Sequence, residues 1–525
     1  MICFAFATWC FINTWVEYAE GGIAYFARQD PVRAVVVPVI CLTTILTFIM
    51  VGLWEFCRRR RLDHAIPLHL LFLASCLAPF GIASVAALRV LPLTVTEIVR
   101  KPLFWPLALT VAIVPLGLAC ARPRRASRVV CDALLCSWPL LLVVLVQAYR
   151  GSLFYPHSAY ADGALAAPLG SRSKHVRVVW IIFDELSQSI AFGNRPASLA
   201  LPNLDGLKES AFFASSAESP ANLTELSLPS LILGELVTGA NPLGPDTLRV
   251  TTASHPKPVA FQSIPNLFDA ARFHGFNTAL VGWYLPYGRV LSHSLTKCYW
   301  TAEWLPVGTE ERTYPQHLVD AMLDRLRLQF VALPLVGHLT AVFPGYYQRY
   351  EKIEQFSWLR DRALESVADP SIGLALIHLP IPHPVGIFSR TSGSLTTDRH
   401  AGYLDNVALV DRTLGELQKA MARSGLWDCT AVLVTADHSW RPYIWRDHAE
   451  WTSEEEAVSH QSTSGVPFIL KLPGQKSGVV YSRRFNTIIT RQLILRILSG
   501  QLTDANAIPD LIQRIDSQAL QGSLP

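Results

Sequence analysis

Residues 176–185 read VRVVWIIFDE, and residues 430–438 read TAVLVTADH. Each is a short β-branched run, apolar on both faces, that ends abruptly in ionisable side chains. A strand apolar on both faces is buried from above and below, the condition of a parallel sheet lying between layers of helix. Three further runs share this character: TALVGW (278–283), IGLALIHL (372–379) and VPFILKL (466–472). Between them lie segments with helical spacing of apolar residues, such as YLDNVALVDRTLGELQKAMA (403–422). The alternation predicts an α/β domain with a mostly parallel central sheet over residues 175–525.

In such sheets ligands bind at the carboxyl ends of the strands. The first run delivers Asp184 and Glu185 to that end, and the fourth delivers Asp437 and His438 just past Ala436. Carboxylates gathered at one strand end repel one another unless a cation joins them. An imidazole among them favours a transition metal, Zn²⁺ or Mn²⁺, over Ca²⁺. The competing reading of either acid alone is a helix cap.

Two more segments add chemistry. SPANLTELSLPSLILG (219–234) is a hydroxyl-rich turn that enters an apolar helix, so Thr224 stands beside unsatisfied N–H groups and the positive end of the helix dipole. A metal that lowers the pKa of its hydroxyl makes Thr224 a nucleophile; otherwise it is an ordinary N-cap. HLPIPHP (378–384) holds His378 and His383 around a Pro-stiffened turn, where both can reach one site to bind an anion's oxygen or move a proton. His448 and His460 are weaker candidates.

The first 150 residues are a different material. Charged residues make up only 16% of the 525-residue chain, against about 25% in an average soluble domain. Of the 45 Lys and Arg, 14 lie in residues 1–150, with 7 of the 41 Asp and Glu, so the remainder carries a net −3. That balance gives no basic face for nucleic acid, which is excluded as a partner. Apolar segments run over 33–56, 66–91, 102–121 and 129–149, each long enough for a hydrocarbon core of about 30 Å. Residues 2–16 add a marginal fifth, or an interfacial segment. Arg58–Arg61 and the arginines at 122, 124, 125 and 128 lie in loops that the positive-inside bias makes cytoplasmic. The expected organisation is a transmembrane domain of four to five helices (1–149), a flexible Gly/Pro-punctuated linker (150–174) and an exported domain (175–525). That organisation is expected to make a multi-pass protein of the inner (cytoplasmic) membrane, with its catalytic domain on the periplasmic or extracellular face. Eight of the ten Cys fall in the apolar half; Cys298 and Cys429 could pair in an oxidising compartment, but without a spacing signal they read as free buried thiols.

The ordered set of these segments resembles the alkaline phosphatase superfamily, in its sulfatase-like branch, which includes membrane-anchored phosphoethanolamine and phosphoglycerol transferases. LPNLDGLKESAFF (201–213), IPNLFDAARFHGFNTALVG (264–282) and GVPFILKLPG (465–474) stand in the family's order alongside the segments above. The resemblance implies a divalent metal held by Glu185 with Asp184 beside it, by Asp437 and His438, and by the nucleophile Thr224. It gives His378 and His383 catalytic roles. The departures narrow the reading. Thr224-Glu-Leu-Ser-Leu lacks the Cys or Ser, the Pro and the Arg that sulfatases need to make formylglycine. Trp283-Tyr284-Leu285 replaces the basic Lys-x-His, and TADHG has become TADHS at Ser439. The disulfide-rich pattern of many phosphoethanolamine transferases is missing. The function expected is therefore a membrane-anchored, metal-dependent transferase or hydrolase of phosphoesters. It acts on a lipid or glycan of the envelope at the bilayer through a covalent threonine intermediate. A sulfoester hydrolase and an inactive envelope scaffold are the alternatives.

Overall fold

The computed structural model describes residues 36–60, 161–170, 176–302, 342–446, 451–460 and 464–522, with isolated positions in 3–11, 121–146 and 318–326. The chain divides into two compact units, one of residues 1–159 with 308–344, the other of residues 160–307 with 345–525.

The larger unit is built on an eight-stranded sheet. In chain order its strands are β1 (Arg177–Phe183), β2 (Phe212–Ala214), β3 (Thr278–Trp283), β4 (Lys297–Thr301), β5 (Leu374–Leu379), β6 (Thr430–Thr435), β7 (Phe468–Lys471) and β8 (Val479–Tyr481). Across the sheet they lie in the order β8-β2-β7-β6-β1-β5-β3-β4. β1 pairs in parallel with β6 and β5, and β3 in parallel with β5 and β4. Only β7 runs against its neighbours, pairing antiparallel with β6 and β2. All five runs singled out in the sequence are strands, and every residue of β1, β3, β5, β6 and β7 is buried. The mostly parallel α/β domain is thus present, with an antiparallel strand inside the sheet that the apolar pattern did not distinguish.

The helices keep the two-faced burial that the strands demand. The helix Tyr403–Arg423 turns Leu404, Val407, Val410, Leu414 and Leu417 to the core at the spacing of one helical face. From the same helix the buried carboxylate of Asp411 accepts from the backbone N–H of Leu204 and the side chain of Asn203, both at 2.8 Å. It thereby caps the helix Pro202–Glu209 from outside. The helix Thr224–Leu233 ends at Gly234, whose φ of 68° is left-handed and suits a residue without Cβ. A Cβ there would also meet the Arg491 side chain at 2.7 Å.

The smaller unit contains the helix Val37–Arg59, the one helix among the described residues long and apolar enough to cross a membrane. The expected four- to five-helix anchor therefore reduces, among these residues, to one helix. The segments 66–91, 102–121, 129–149 and 2–16 lie wholly or largely outside them. Phe11, Val39 and Leu42 form a small apolar cluster in this unit, joined by Met322 and Leu326 from the 308–344 insertion. The residues assigned to an exported domain from 175 onward are thus interrupted by a segment that clusters with the apolar unit. The apolar run 328–343 lies outside the described residues except for the start of the helix Val342–Ala368.

The linker needs correction where it is described. Residues 161–170 have little regular structure, yet their polar groups are satisfied by the larger unit. Gly163 N–H donates to the Gly288 carbonyl at 2.9 Å, Ala166 N–H to Leu295 at 2.9 Å, and Leu169 N–H to the Asn277 side chain at 2.7 Å. Trp300 Nε1 donates to Asp162 at 2.9 Å. A Gly/Pro-punctuated stretch reads as a free tether, but these hydrogen bonds fasten the segment to residues between Asn277 and Trp300. Cys298 and Cys429 are half-buried.

Candidate active site

Four adjacent strands, β6, β1, β5 and β3, end at one edge of the sheet, and the chemistry-bearing residues leave from that edge. Asp184 and Glu185 follow β1, Asp437 and His438 follow β6, His378 is the penultimate residue of β5, and Trp283 closes β3. Asp184, Glu185, His378 and Asp437 are fully buried, and His438 nearly so.

Thr224 is brought to them by the loop after β2. It is the first residue of its helix, the N-cap position falls on Leu223, and no side chain caps the helix. The threonine hydroxyl instead donates to Asp437 Oδ2 at 2.7 Å and stands 3.4 Å from His438 Nε2. Ser227, one turn on, donates to the Asp437 carbonyl at 2.6 Å, which ties the hydroxyl-rich turn to the acidic one. Neither acid caps a helix: Asp437 accepts from Thr224 and from the Glu185 N–H at 3.1 Å. Both oxygens of buried Asp184 lack a hydrogen-bond partner among the described residues. They face His378 Nε2 at 3.4 Å and His438 Nε2 at 3.6 Å.

The three histidines share one tautomeric arrangement. Nδ1 of His378 donates to the Trp283 carbonyl at 3.0 Å, Nδ1 of His438 to the Ser439 carbonyl at 3.0 Å, and Nδ1 of His383 to the Pro384 carbonyl at 2.9 Å. A carbonyl only accepts, so each Nδ1 carries a proton, and in the neutral ring Nε2 keeps its lone pair. Donor spacing tests whether a divalent ion suits this group. In a tetrahedral shell with bonds of about 2.0–2.1 Å, neighbouring donors stand about 3.3–3.4 Å apart. Here His438 Nε2 lies 3.4 Å from Asp437 Oδ2, 3.4 Å from Thr224 Oγ1 and 3.6 Å from Asp184 Oδ1. These three spacings suit the ion, while Thr224 Oγ1 and Asp437 Oδ2, at 2.7 Å, stand at hydrogen-bond distance from each other. Asp184, His378 and Asp437 offer ligand atoms within 4.8 Å of one another, and so do Asp184, Glu185 and His383.

Glu185, expected as a metal acid, has another engagement. Its Oε1 accepts from the Arg441 N–H at 2.7 Å, and its Oε2 faces the Arg441 guanidinium at 3.5 Å. Burial pushes its carboxyl up to about 7, against the pull of Arg441 and His438. Its backbone sits at a left-handed φ of 71°, unusual for a side chain of this size. Tyr403 holds that turn, donating to the Glu185 carbonyl at 3.0 Å and accepting from Ser187 N–H at 3.1 Å, with its ring stacked on Trp440 at 4.4 Å. His383 is only partly covered, and burial followed by the Lys352 ammonium pulls its imidazole down to about 3. It is neutral at pH 7 and its Nε2 can accept a proton. His378 is enclosed on both nitrogens by Asp184 and Trp283, which suits it to hold geometry more than to shuttle protons.

The structure thus brings together Asp184, Glu185, Thr224, His378, His383, Asp437 and His438. His460 is exposed and pairs with Glu456 at 3.1 Å, away from this cluster, while His448 lies outside the described residues. Sequence reasoning missed Arg441, Tyr403 and Lys352. Arg441 lay three residues past His438 and could have been suspected from proximity. Tyr403 opened a segment noted only as a helix, and Lys352 had no local signal at all.

The sulfatase family model matches residues 177–492, well over half of the chain. Solved structures similar to it include the phosphonate monoester hydrolase of Agrobacterium radiobacter, at 16% identity over 62% of this chain and 74% of that one, with a TM-score of 0.38. The PsFucS1 sulfatase from Pseudoalteromonas sp. is 16% identical over 63% of this chain and 70% of its own, with a TM-score of 0.40. A protein in the alkaline phosphatase superfamily from Vibrio parahaemolyticus is 13% identical over 63% and 68%, with a TM-score of 0.35. No curated protein matches the chain. A parallel sheet whose strand ends gather three carboxylates, three imidazoles and a hydroxyl, matched over this length, makes the chain a member of the sulfatase family, a hydrolase of the alkaline phosphatase superfamily.

Proposed function

We propose that the protein is a membrane-anchored, metal-dependent enzyme that moves a phosphorus-containing group from an envelope lipid or glycan through a covalent bond to Thr224. The observation that carries this reading is the Thr224 hydroxyl, buried, pointed at Asp437 Oδ2 at 2.7 Å and not used to cap its own helix. Asp184, Asp437, His438 and Thr224 would hold a divalent cation, Zn²⁺ or Mn²⁺, with His378 completing or orienting the set and Glu185 at its edge. When bound, such an ion lowers the pKa of the threonine hydroxyl and offsets charge on the transferring group.

The chain's own groups supply the rest. Thr224 Oγ1 attacks the phosphorus, its proton passing along the hydrogen bond to Asp437, while the bond to the leaving oxygen breaks and the leaving alcohol departs with a proton taken from solvent. The N-terminus of the helix Thr224–Leu233 and Arg441 face the oxygens that gain charge. In the second step His383 Nε2 takes the proton of the acceptor hydroxyl, whose oxygen attacks the phosphorus and releases Thr224; Thr224 recovers its proton from Asp437, and His383 returns its own to solvent. Water as acceptor makes the enzyme a hydrolase, and an alcohol makes it a transferase. Threonine cannot be oxidised to formylglycine, which argues against the sulfoester reading. Retention of the whole ligand set argues against an inert scaffold. Anchorage rests on the helix Val37–Arg59, the one helix among the described residues long and apolar enough to cross a membrane.

Mass spectrometry of lipids and glycans from cells carrying the wild type or Thr224→Ala tests the reading. A product that disappears with the substitution, its donor accumulating, is expected. Identical profiles, together with wild-type ester turnover by the purified variant, would overturn it.

A further inference from the structure

The helix Val342–Ala368 carries Lys352 into the candidate site from a part of the chain that bears none of the metal-ligand candidates. Lys352 is only 6% exposed. Its ammonium lies 3.8 Å above the Trp283 ring and 3.5 Å from His383 Nδ1. Trp283 is fixed on every side that matters. Its Nε1 donates to Gln355 at 3.2 Å, its carbonyl accepts from His378, and its ring lies 4.9 Å from that of His383. Lys352 and Gln355 are one helical turn apart, so a single face of the helix grips the indole from two points. The ring is a bracket with an ammonium on one side and the site's imidazoles beside it.

Packing alone does not call for an ammonium here. A methionine would cover the indole equally well without a buried charge. The charges of the site give the reason. Asp184, Glu185 and Asp437 bring three carboxylates, which a divalent ion and Arg441 offset between them. A tetrahedral anion approaching partly exposed His383 adds further negative charge, and Lys352 is the cation placed beside that approach.

We propose that Lys352 is a substrate-binding residue: its ammonium, held on the face of Trp283 beside His383, takes a non-bridging oxygen of the tetrahedral anion that Thr224 attacks. This inference rests on the reading of Thr224 as nucleophile, and its test separates the two. The metal-loaded full-length protein in detergent is titrated with inorganic phosphate, and its structure is determined with orthovanadate. In the wild type, Lys352 Nζ is expected within about 3.2 Å of a vanadate oxygen. Lys352→Met and Lys352→Gln are expected to bind phosphate at least tenfold more weakly and to raise KM for an aryl phosphate more than they lower kcat. Lys352→Arg is expected to recover most of the loss, and metal content is expected to stay unchanged in all three. Vanadate bound with Nζ beyond hydrogen-bonding distance of every oxygen overturns the role of Lys352 even where a variant fails to fold. So does wild-type phosphate affinity in a folded Lys352→Met. If the wild type binds neither anion, or Thr224→Ala keeps its turnover, the functional reading itself falls.

Discussion

At Thr224 the choice between helix cap and nucleophile turns on where one hydroxyl points. In sequence the two readings are indistinguishable, because both want a small hydroxyl residue before an apolar helix. The fold brings Asp437, 213 residues away, to within 2.7 Å of that hydroxyl, which supports the nucleophile proposed above. The acids themselves were legible earlier, since a buried strand that runs into consecutive ionisable residues has few structural uses. The division of labour between Asp184 and Glu185 was not, because it depends on Arg441 claiming the glutamate. Metal-ligand candidates that meet from three strand ends and the start of one helix are expected to act as a unit, so a single neutralising change should empty the site. Asp437→Asn is expected to lower bound metal from one ion per chain to below about a tenth in elemental analysis, and to lower turnover at least 10³-fold, on the order seen for catalytic groups that act as a unit. Chelation of the wild type should abolish turnover, and Zn²⁺ or Mn²⁺ should restore it. A chain that turns over fully without metal would contradict the assignment.

Among the elements, strands were easier to read than their neighbours. Two-faced apolarity marks a strand as buried, whereas pairing partners and direction are fixed by how the chain returns, which is why antiparallel β7 escaped notice. The three-residue strands β2 and β8 are too short for any periodicity to register. Asp411 shows how one such element is joined to the next. It lies on the inner face of a helix where an apolar residue is expected, and burial raises its pKa, yet it stays because it accepts two N–H groups at the start of another helix. Asp411→Ala strands those donors, and the expected loss is about 1–3 kcal/mol in a urea unfolding experiment on the full chain. A change within about 0.3 kcal/mol would show that the cap is not what holds the helix Pro202–Glu209 in place.

The whole molecule divides by charge and hydropathy in the sequence and again in the structure, but not at the same places. Composition marks where apolar segments stop. It cannot show that residues 308–344 leave one unit to join the other, since that depends on Met322 and Leu326 finding Val39 and Leu42. Along the helix Val37–Arg59, Ile45, Phe48, Ile49 and Phe56 are exposed, 72% in the case of Phe48, as suits a face meant for lipid. Placing carboxylates in the small cluster, by Met322→Asp with Leu326→Asp, is expected to open the insertion to protease at least tenfold faster while kcat/KM on a soluble ester changes less than about threefold, because buried unpaired charge disrupts only its own surroundings. An equal cleavage rate would remove the cluster from the account of this unit.

The central claim is that a phosphorus-bearing group rests on Thr224 between the two half-reactions. Its most direct measurement is acid quench of the metal-loaded, full-length enzyme during turnover of an ester donor, followed by peptide mass spectrometry. One phosphoryl or phosphoalkyl addition on the peptide containing Thr224, absent without donor and absent in Thr224→Ala, is the result expected. Sustained turnover with the modification found on another residue would contradict the claim, and so would turnover by Thr224→Ala at the wild-type rate.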